Sequence, residues 1–224
     1  MSSYLFVLCP PYCGSTLLWK LLSTSANVSA LPDEGQFLPE LKDIMRDRPW
    51  DAENSLPWPD IKQVWDAYWD RDKPVLLEKS PPNIIRTGDI LAHFQPVQFI
   101  IMVRNPYAQS EGLMRRNHWP ARRAANFAMM CLRTQLKNRR QLDNATVLTY
   151  ESLVQDPAGA CAAIVESNPE LFQDNFQASN IGTFCLCEFA DVLFGEVDGM
   201  FLINDESLGT VNKTAELIDT PGSQ

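Results

Sequence analysis

Four short stretches of the chain, Tyr4–Cys9, Pro74–Glu78, Gln98–Val103 and Ala145–Tyr150, are mostly apolar and rich in Val, Ile and Leu. Such runs are the mark of strands buried on both faces of a sheet. Between them the pattern changes to one of helical spacing. It predicts helices over Ser15–Ser23, Phe37–Asp47, Ile61–Trp69, Asn83–Phe94, Tyr107–Arg116, Ala121–Leu142 and Ala158–Glu166. Strands that alternate with helices imply βαβ units, right-handed crossovers and an α/β fold with a central parallel sheet flanked by helices. Ligands of such sheets sit beyond the carboxyl ends of the strands. Three of the four predicted strands run straight into polar sequence there: CPPYCGST, LEKSPP and MVRNPY. That convergence locates a candidate site. Residues 48 to 60, RPWDAENSLPWPD, form a Pro/Trp-containing loop that covers the cleft or packs on it. Past Pro169 the pattern weakens. A single domain is expected over residues 1–219, with a disordered tail at 220–224.

Composition narrows the class. A chain of 224 residues with 45% hydrophobic content can bury a core as one domain. No apolar run reaches the roughly 18 residues that a membrane-spanning helix needs. The first strand has neither a basic leader nor a small-residue cleavage site, so a signal peptide is not expected. The six cysteines have no repeated metal spacing. Cys185 and Cys187 form a C-x-C pair that only His93 and His118 could supplement. Free cytosolic thiols are the expectation, and the missing membrane span suggests a soluble, cytoplasmic protein of bacterial or viral type.

The net charge of −9 argues against general nucleic-acid binding, but it conceals an asymmetry. From Arg104 to Arg140 there are nine Lys/Arg and one acid, Glu111. Such a segment is either a solvated helix face or a local positive field that guides an anionic ligand toward a cleft.

The turn after the first strand offers backbone N–H groups around Cys13–Thr16, the hydroxyls of Ser15 and Thr16, and the positive end of the next helix. Those are the elements of an anion site, although any βα turn shares part of that character. The turn lacks the Lys that a Walker loop carries before its Ser/Thr. Arg104 stands at another strand end, just before Pro106 at a helix start. A guanidinium there can fork onto a phosphate or pair with a nearby carboxylate.

Taken together, these segments resemble the sulfotransferases that use 3′-phosphoadenosine 5′-phosphosulfate (PAPS), and especially the glycan-modifying, heparan sulfate-type branch. PPYCGSTLLWKLL is similar to that family's 5′-phosphosulfate loop, PVLLEKSPPNII to its Glu-Lys-Ser-Pro segment, FIIMVRNPYAQS to its 3′-phosphate segment, and LTYESLVQDP to its Tyr-Glu-x-Leu-x-x-Asp-Pro segment. The resemblance runs in order from residue 4 to about 165. It implies a P-loop-like three-layer fold and metal-free transfer of a sulfuryl group to the hydroxyl or amine of a small-molecule or glycan acceptor, with 3′-phosphoadenosine 5′-phosphate (PAP) as product. Residues implied for the nucleotide are Pro11, Tyr12, Cys13, Gly14, Ser15, Thr16, Arg104 and Ser110. Glu34 is implied as the base, with Asp33 as its competitor, and Lys79 as the cation on the leaving oxygen. An alternative for the Asp33–Glu34 pair is capping of the helix near Phe37. An alternative for Lys79 is a surface ion pair with Glu78 or another acid.

The sequence departs from the family pattern in two places. Tyr12 stands where the loop usually carries Lys or Arg, and Gly112 where the 3′-phosphate serine is usual, which leaves Ser110 on a different helical face. The family's C-terminal Gly-rich nucleotide loop is not evident. Two other functions stay open on these residues: a member that binds the nucleotide, or a sulfated or phosphorylated partner, without turnover, and an ATP-dependent P-loop kinase. Trp50, Trp58, Trp65 and Trp69 are available to stack on acceptor rings, although the four-residue spacing of the last two also suits a core.

Overall fold

The computed structural model describes residues 2–167. Five strands, β1 (Ser3–Leu8), β2 (Val28–Ala30), β3 (Val75–Glu78), β4 (Val97–Val103) and β5 (Ala145–Thr149), form one sheet in the order β2-β3-β1-β4-β5, every pair parallel. The helices are α1 (Ser15–Ser23), α2 (Lys42–Met45), α3 (Trp58–Tyr68), α4 (Thr87–His93), α5 (Pro106–Asn117), α6 (Ala121–Gln141), α7 (Tyr150–Gln155) and α8 (Pro157–Ser167). Central β1 shows why this is a three-layer α/β fold. Its side chains alternate between two buried layers, as the pleat requires. Leu5 and Val7 face a layer built with α1, α7 and α8. Tyr4, Phe6 and Leu8 face a second layer built with α3, α4 and α6.

The second layer is held largely by aromatic rings. Phe6 meets Phe94 edge-on at 5.1 Å, and Trp65 packs at 5.5 Å from the same Phe94. Such pairs contribute roughly 0.5–1.5 kcal/mol each beyond their area. Trp58, Trp65 and Trp69 all lie in this core, so they are not available to stack on a ligand. Trp50 packs edge-on against Phe127 at 4.9 Å. Its loop is pinned by Arg86, whose guanidinium donates to the carbonyls of Asn54 and Asp51.

Register brings three carboxyl ends to one edge. Phe6 pairs with Glu78 and Leu8 with Ile101. Beyond those pairs, buried Gln135 of α6 donates to the carbonyls of both Leu8 (2.5 Å) and Met102 (3.1 Å). One amide thus satisfies two carbonyls where the central strands part.

Three expectations need correction. The helix predicted over Phe37–Asp47 is a 3-10 turn at Gly35–Phe37 followed by α2 alone. Pro39 pushes Leu38 to φ −58°, ψ 138° and breaks the run. The helix predicted over Asn83–Phe94 is a 3-10 turn at Pro81–Ile85 and then α4, divided at Arg86. Strand β2 was not expected: it has only three residues, with Ser29 in the middle. The expected boundary at 219 and the tail 220–224 lie outside the described residues.

Candidate active site

Pro10 and Pro11 end β1, and the chain turns back on a bond from the Cys13 N–H to the Pro10 carbonyl (3.3 Å). Two residues of the turn are left-handed, Tyr12 at φ 63° and Gly14 at φ 89°. Gly14 is required twice over. A Cβ there would also lie 2.3 Å from the Tyr150 ring. The first helical bond, from Leu18 to the Gly14 carbonyl, starts α1, and Gly14 has no side chain to cap that end. The leading N–H groups of α1 therefore have no intrahelical partner and point at the edge where β1, β3 and β4 end.

At that edge lies an ion pair of low exposure. Lys79, 6% exposed in its side chain, places Nζ 2.8 Å from Oε1 of Glu34, which is 15% exposed. The same ammonium lies 3.5 Å from the Thr16 hydroxyl on the first turn of α1. The other oxygen of Glu34 accepts from the Gln36 side-chain amide. Asp33, in contrast, is exposed and among the described residues accepts only from the adjacent Glu34 N–H. Glu34 precedes the 3-10 turn but makes no side-chain cap to it.

Beside Lys79, Glu78 is 1% exposed. Its carboxyl accepts from the Gly35 N–H, the Ser80 N–H and hydroxyl, and the Asn83 amide. Burial pushes this carboxyl up to about 7, and the neighbouring Glu34 adds to the rise. The bonds from Ser80 and Gly35 and the charge of Lys79 act the other way.

On the far side of the turn, Arg104 ends β4. It donates to the Tyr12 carbonyl (3.0 Å) and lies 4.2 Å above the Tyr150 ring, while its buried Nε–H has no partner among the described residues. Tyr12 does not face the β3 end. Its ring covers Gly112 of α5, where a Cβ would be 3.0 Å from that of Tyr12, and its hydroxyl donates to Asn117 (2.6 Å). Gln109 completes the clamp with a bond to the Pro11 carbonyl (3.2 Å). Ser110 spends its hydroxyl on its own helix, at the Pro106 carbonyl (2.7 Å).

The model of the sulfotransferase family matches residues 5–168, most of the chain. The chain belongs to the sulfotransferase family. Among solved structures, the chain is similar to the sulfotransferase domain from the curacin biosynthetic pathway: TM-score 0.55, 21% identity, 80% of each chain covered. It is also similar to a sulfotransferase from Alicyclobacillus acidocaldarius: TM-score 0.50, 14% identity, with 86% of this chain and 96% of that one covered. At those identities the likeness is one of fold. No curated protein matches the sequence.

The structure thus brings Thr16, Glu34 and Lys79 together, with Ser15 buried beside them on α1. It sets Pro11, Tyr12 and Arg104 in a second group tied to α5. Cys13 is buried in the apolar layer beneath the turn. Gln36, Gln109, Asn117 and Tyr150 were not singled out by sequence. Gln36 and Gln109 are amides whose roles depend on tertiary placement. Tyr150 stood within the quoted LTYESLVQDP segment, and that is the one signal that pointed to it. Among the described residues no group of His, Cys, Asp and Glu is arranged to hold a metal ion, and no helix is long and apolar enough to cross a membrane.

Proposed function

We propose that the chain moves a sulfuryl group from PAPS to the hydroxyl or amine of an acceptor, with Glu34 as base and Lys79 as the cation. The single observation that supports this is the 2.8 Å Lys79–Glu34 contact at the free N-terminus of α1. It sets a proton acceptor and a fixed positive charge within one reaction distance. The residues present suit an anionic donor: the leading N–H groups of α1 and the Nε–H of Arg104, without partners among the described residues, the Thr16 hydroxyl and a lysine of low exposure. PAPS, when bound, supplies the electrophilic sulfur and a phosphate leaving group, and PAP is the product.

Glu34 takes the acceptor proton as the new oxygen–sulfur (or nitrogen–sulfur) bond forms. Lys79 meets the negative charge that grows on the departing phosphate oxygen as the old sulfur–oxygen bond breaks. A base in position contributes roughly 10²–10⁴-fold, and a fixed cation on the order of 10²–10³. Tyr12 brings no charge to the turn, so the cationic role falls to Lys79. The likeness of the LEKSPP segment to the glycan-modifying branch makes sugar hydroxyls the first acceptors to try.

The test is a PAPS-dependent screen of acceptors read by mass, with PAP release measured in parallel. Glu34→Gln should lower turnover at least about a hundredfold without weakening PAP binding. Full activity in Glu34→Gln with loss in Asp33→Asn would move the base to the neighbour. A second reading is favoured by the Tyr12 ring, which packs on α5 and brings no cation to the turn: a nucleotide-binding protein without turnover. PAP binding with no product from any acceptor would select it.

A further inference from the structure

Glu78 lies one residue from Lys79 but carries no part of the proposed chemistry, although it is among the most buried charged side chains. All its bonds go to two places. Asn83 and Ser80 secure it to the turn after β3, and Gly35 secures it to the segment that carries Glu34. Ser80 extends the tie, because its hydroxyl oxygen accepts from the Gln36 N–H (3.2 Å). Both peptide groups that follow Glu34 are therefore fixed from the end of β3. From the other side the segment is closed by Trp65. Its indole N–H donates to the Gly35 carbonyl (3.3 Å), and a Cβ on Gly35 would lie 2.5 Å from its ring. Gly35 is thus wedged between a tryptophan and a carboxylate, and the direction of the Glu34 side chain follows from that wedge.

We propose that Glu78 is the positioning residue of the Glu34–Lys79 pair: its ionised carboxylate holds the Glu34 segment against the strand end that carries the lysine. Calling the pair catalytic rests on the proposed function; the positioning does not. The charged groups facing Glu78 are Lys79 beside it and Glu34 across the segment; Gly35, Ser80 and Asn83 face it only as neutral donors. A proton on Glu78 turns an acceptor oxygen into a donor that faces N–H groups, so a bond to Gly35 or Ser80 is lost. Burial puts that protonation close to neutral pH, so the alignment of the pair follows pH in that range.

The test reads the pair without turnover. The whole chain is acetylated with a water-soluble succinimidyl ester, and labelling of Lys79 relative to exposed Lys137 is followed by peptide mass from pH 6 to 8.5. In wild type the ratio should be low above pH 7.5 and rise as pH falls through about 7. In Glu78→Gln it should be raised roughly 2- to 12-fold at pH 8, the equivalent of one hydrogen bond, and lose its pH dependence. A wild-type ratio and profile in Glu78→Gln overturns the proposal. Should Glu78→Gln not fold, Ser80→Ala decides: a raised ratio that still depends on pH supports the proposal, and an unchanged ratio overturns it. PAP release by the same proteins separates this from the sulfotransferase reading. Absence of PAP release in wild type defeats that reading and leaves the labelling result standing. With turnover present, Glu78→Gln should lose at least about tenfold in rate and its acid limb near pH 7, at unchanged PAP affinity.

Discussion

Replacing Gly112 by alanine puts a methyl group 3.0 Å from Cβ and 3.1 Å from Cγ of Tyr12. In an open helix the change would stabilise by about 1 kcal/mol through helix propensity. Here the ring must give way by a few tenths of an ångström, and it is not free to do so. Its hydroxyl is held by Asn117 at 2.6 Å, its carbonyl by Arg104 at 3.0 Å, and its backbone sits at φ 63°. Overpacking of this kind costs roughly 1–3 kcal/mol, so Gly112→Ala should destabilise the protein by about 1 kcal/mol. Tyr12→Gly removes the ring and suits the left-handed backbone. In that background the same Gly112→Ala should stabilise, by up to about 1 kcal/mol. The coupling between the two sites is then about 2 kcal/mol, against the roughly 0.3–0.5 kcal/mol within which independent sites add. Urea unfolding of the four proteins, with the slopes checked for constancy, measures it. An equal effect of Gly112→Ala in both backgrounds would refute the contact as drawn.

Lys79→Met should cut turnover by about a hundredfold or more with a much smaller effect on PAP affinity; near-normal turnover in Lys79→Met, measured by PAP release, removes the lysine from the reaction. Arg104→Ala should weaken PAP binding by roughly 1.5–3 kcal/mol in calorimetric titration, and equal affinities would exclude the residue from the site. For Glu78 the sign follows from a folded-state value of about 7 against an ordinary 4.5: the folded chain holds the extra proton between these values. The contribution is full below about pH 4.5 and lost as pH rises through 7, so wild type should fall relative to Glu78→Gln by on the order of 3 kcal/mol between pH 4.5 and 8. Parallel unfolding curves at the two pH values would contradict this.

The sheet was readable because β1, β3, β4 and β5 are continuous apolar runs, and a buried parallel strand requires little more. β2 escaped because three residues with a central serine carry no period. The false helix at Phe37–Asp47 came from trusting spacing over Pro39, whose missing N–H was visible in the sequence. At the site, Lys79 and Glu34 were marked by resemblance, but their contact spans 45 positions and depends on the pairing of β2 with β3. Tyr12 and Gly112 read as two separate departures. In the structure they are one contact, since the glycine makes room for the ring. Ser110 had the right chemistry, and only its rotamer shows that its hydroxyl is spent within α5.

The Lys79–Glu34 pair has a consequence for how the two substrates bind. On the proposed reading, a donor that draws the ammonium toward its phosphate releases a carboxylate oxygen to receive an acceptor hydroxyl. An acceptor that engages Glu34 first leaves the ammonium freer for the donor. Each ligand then removes part of the cost of the other, and linkage requires the two effects to be equal. Acceptor affinity should rise in the presence of PAP by the same factor as PAP affinity rises in the presence of acceptor. In Glu34→Gln, where no ion pair has to open, both factors should fall toward one.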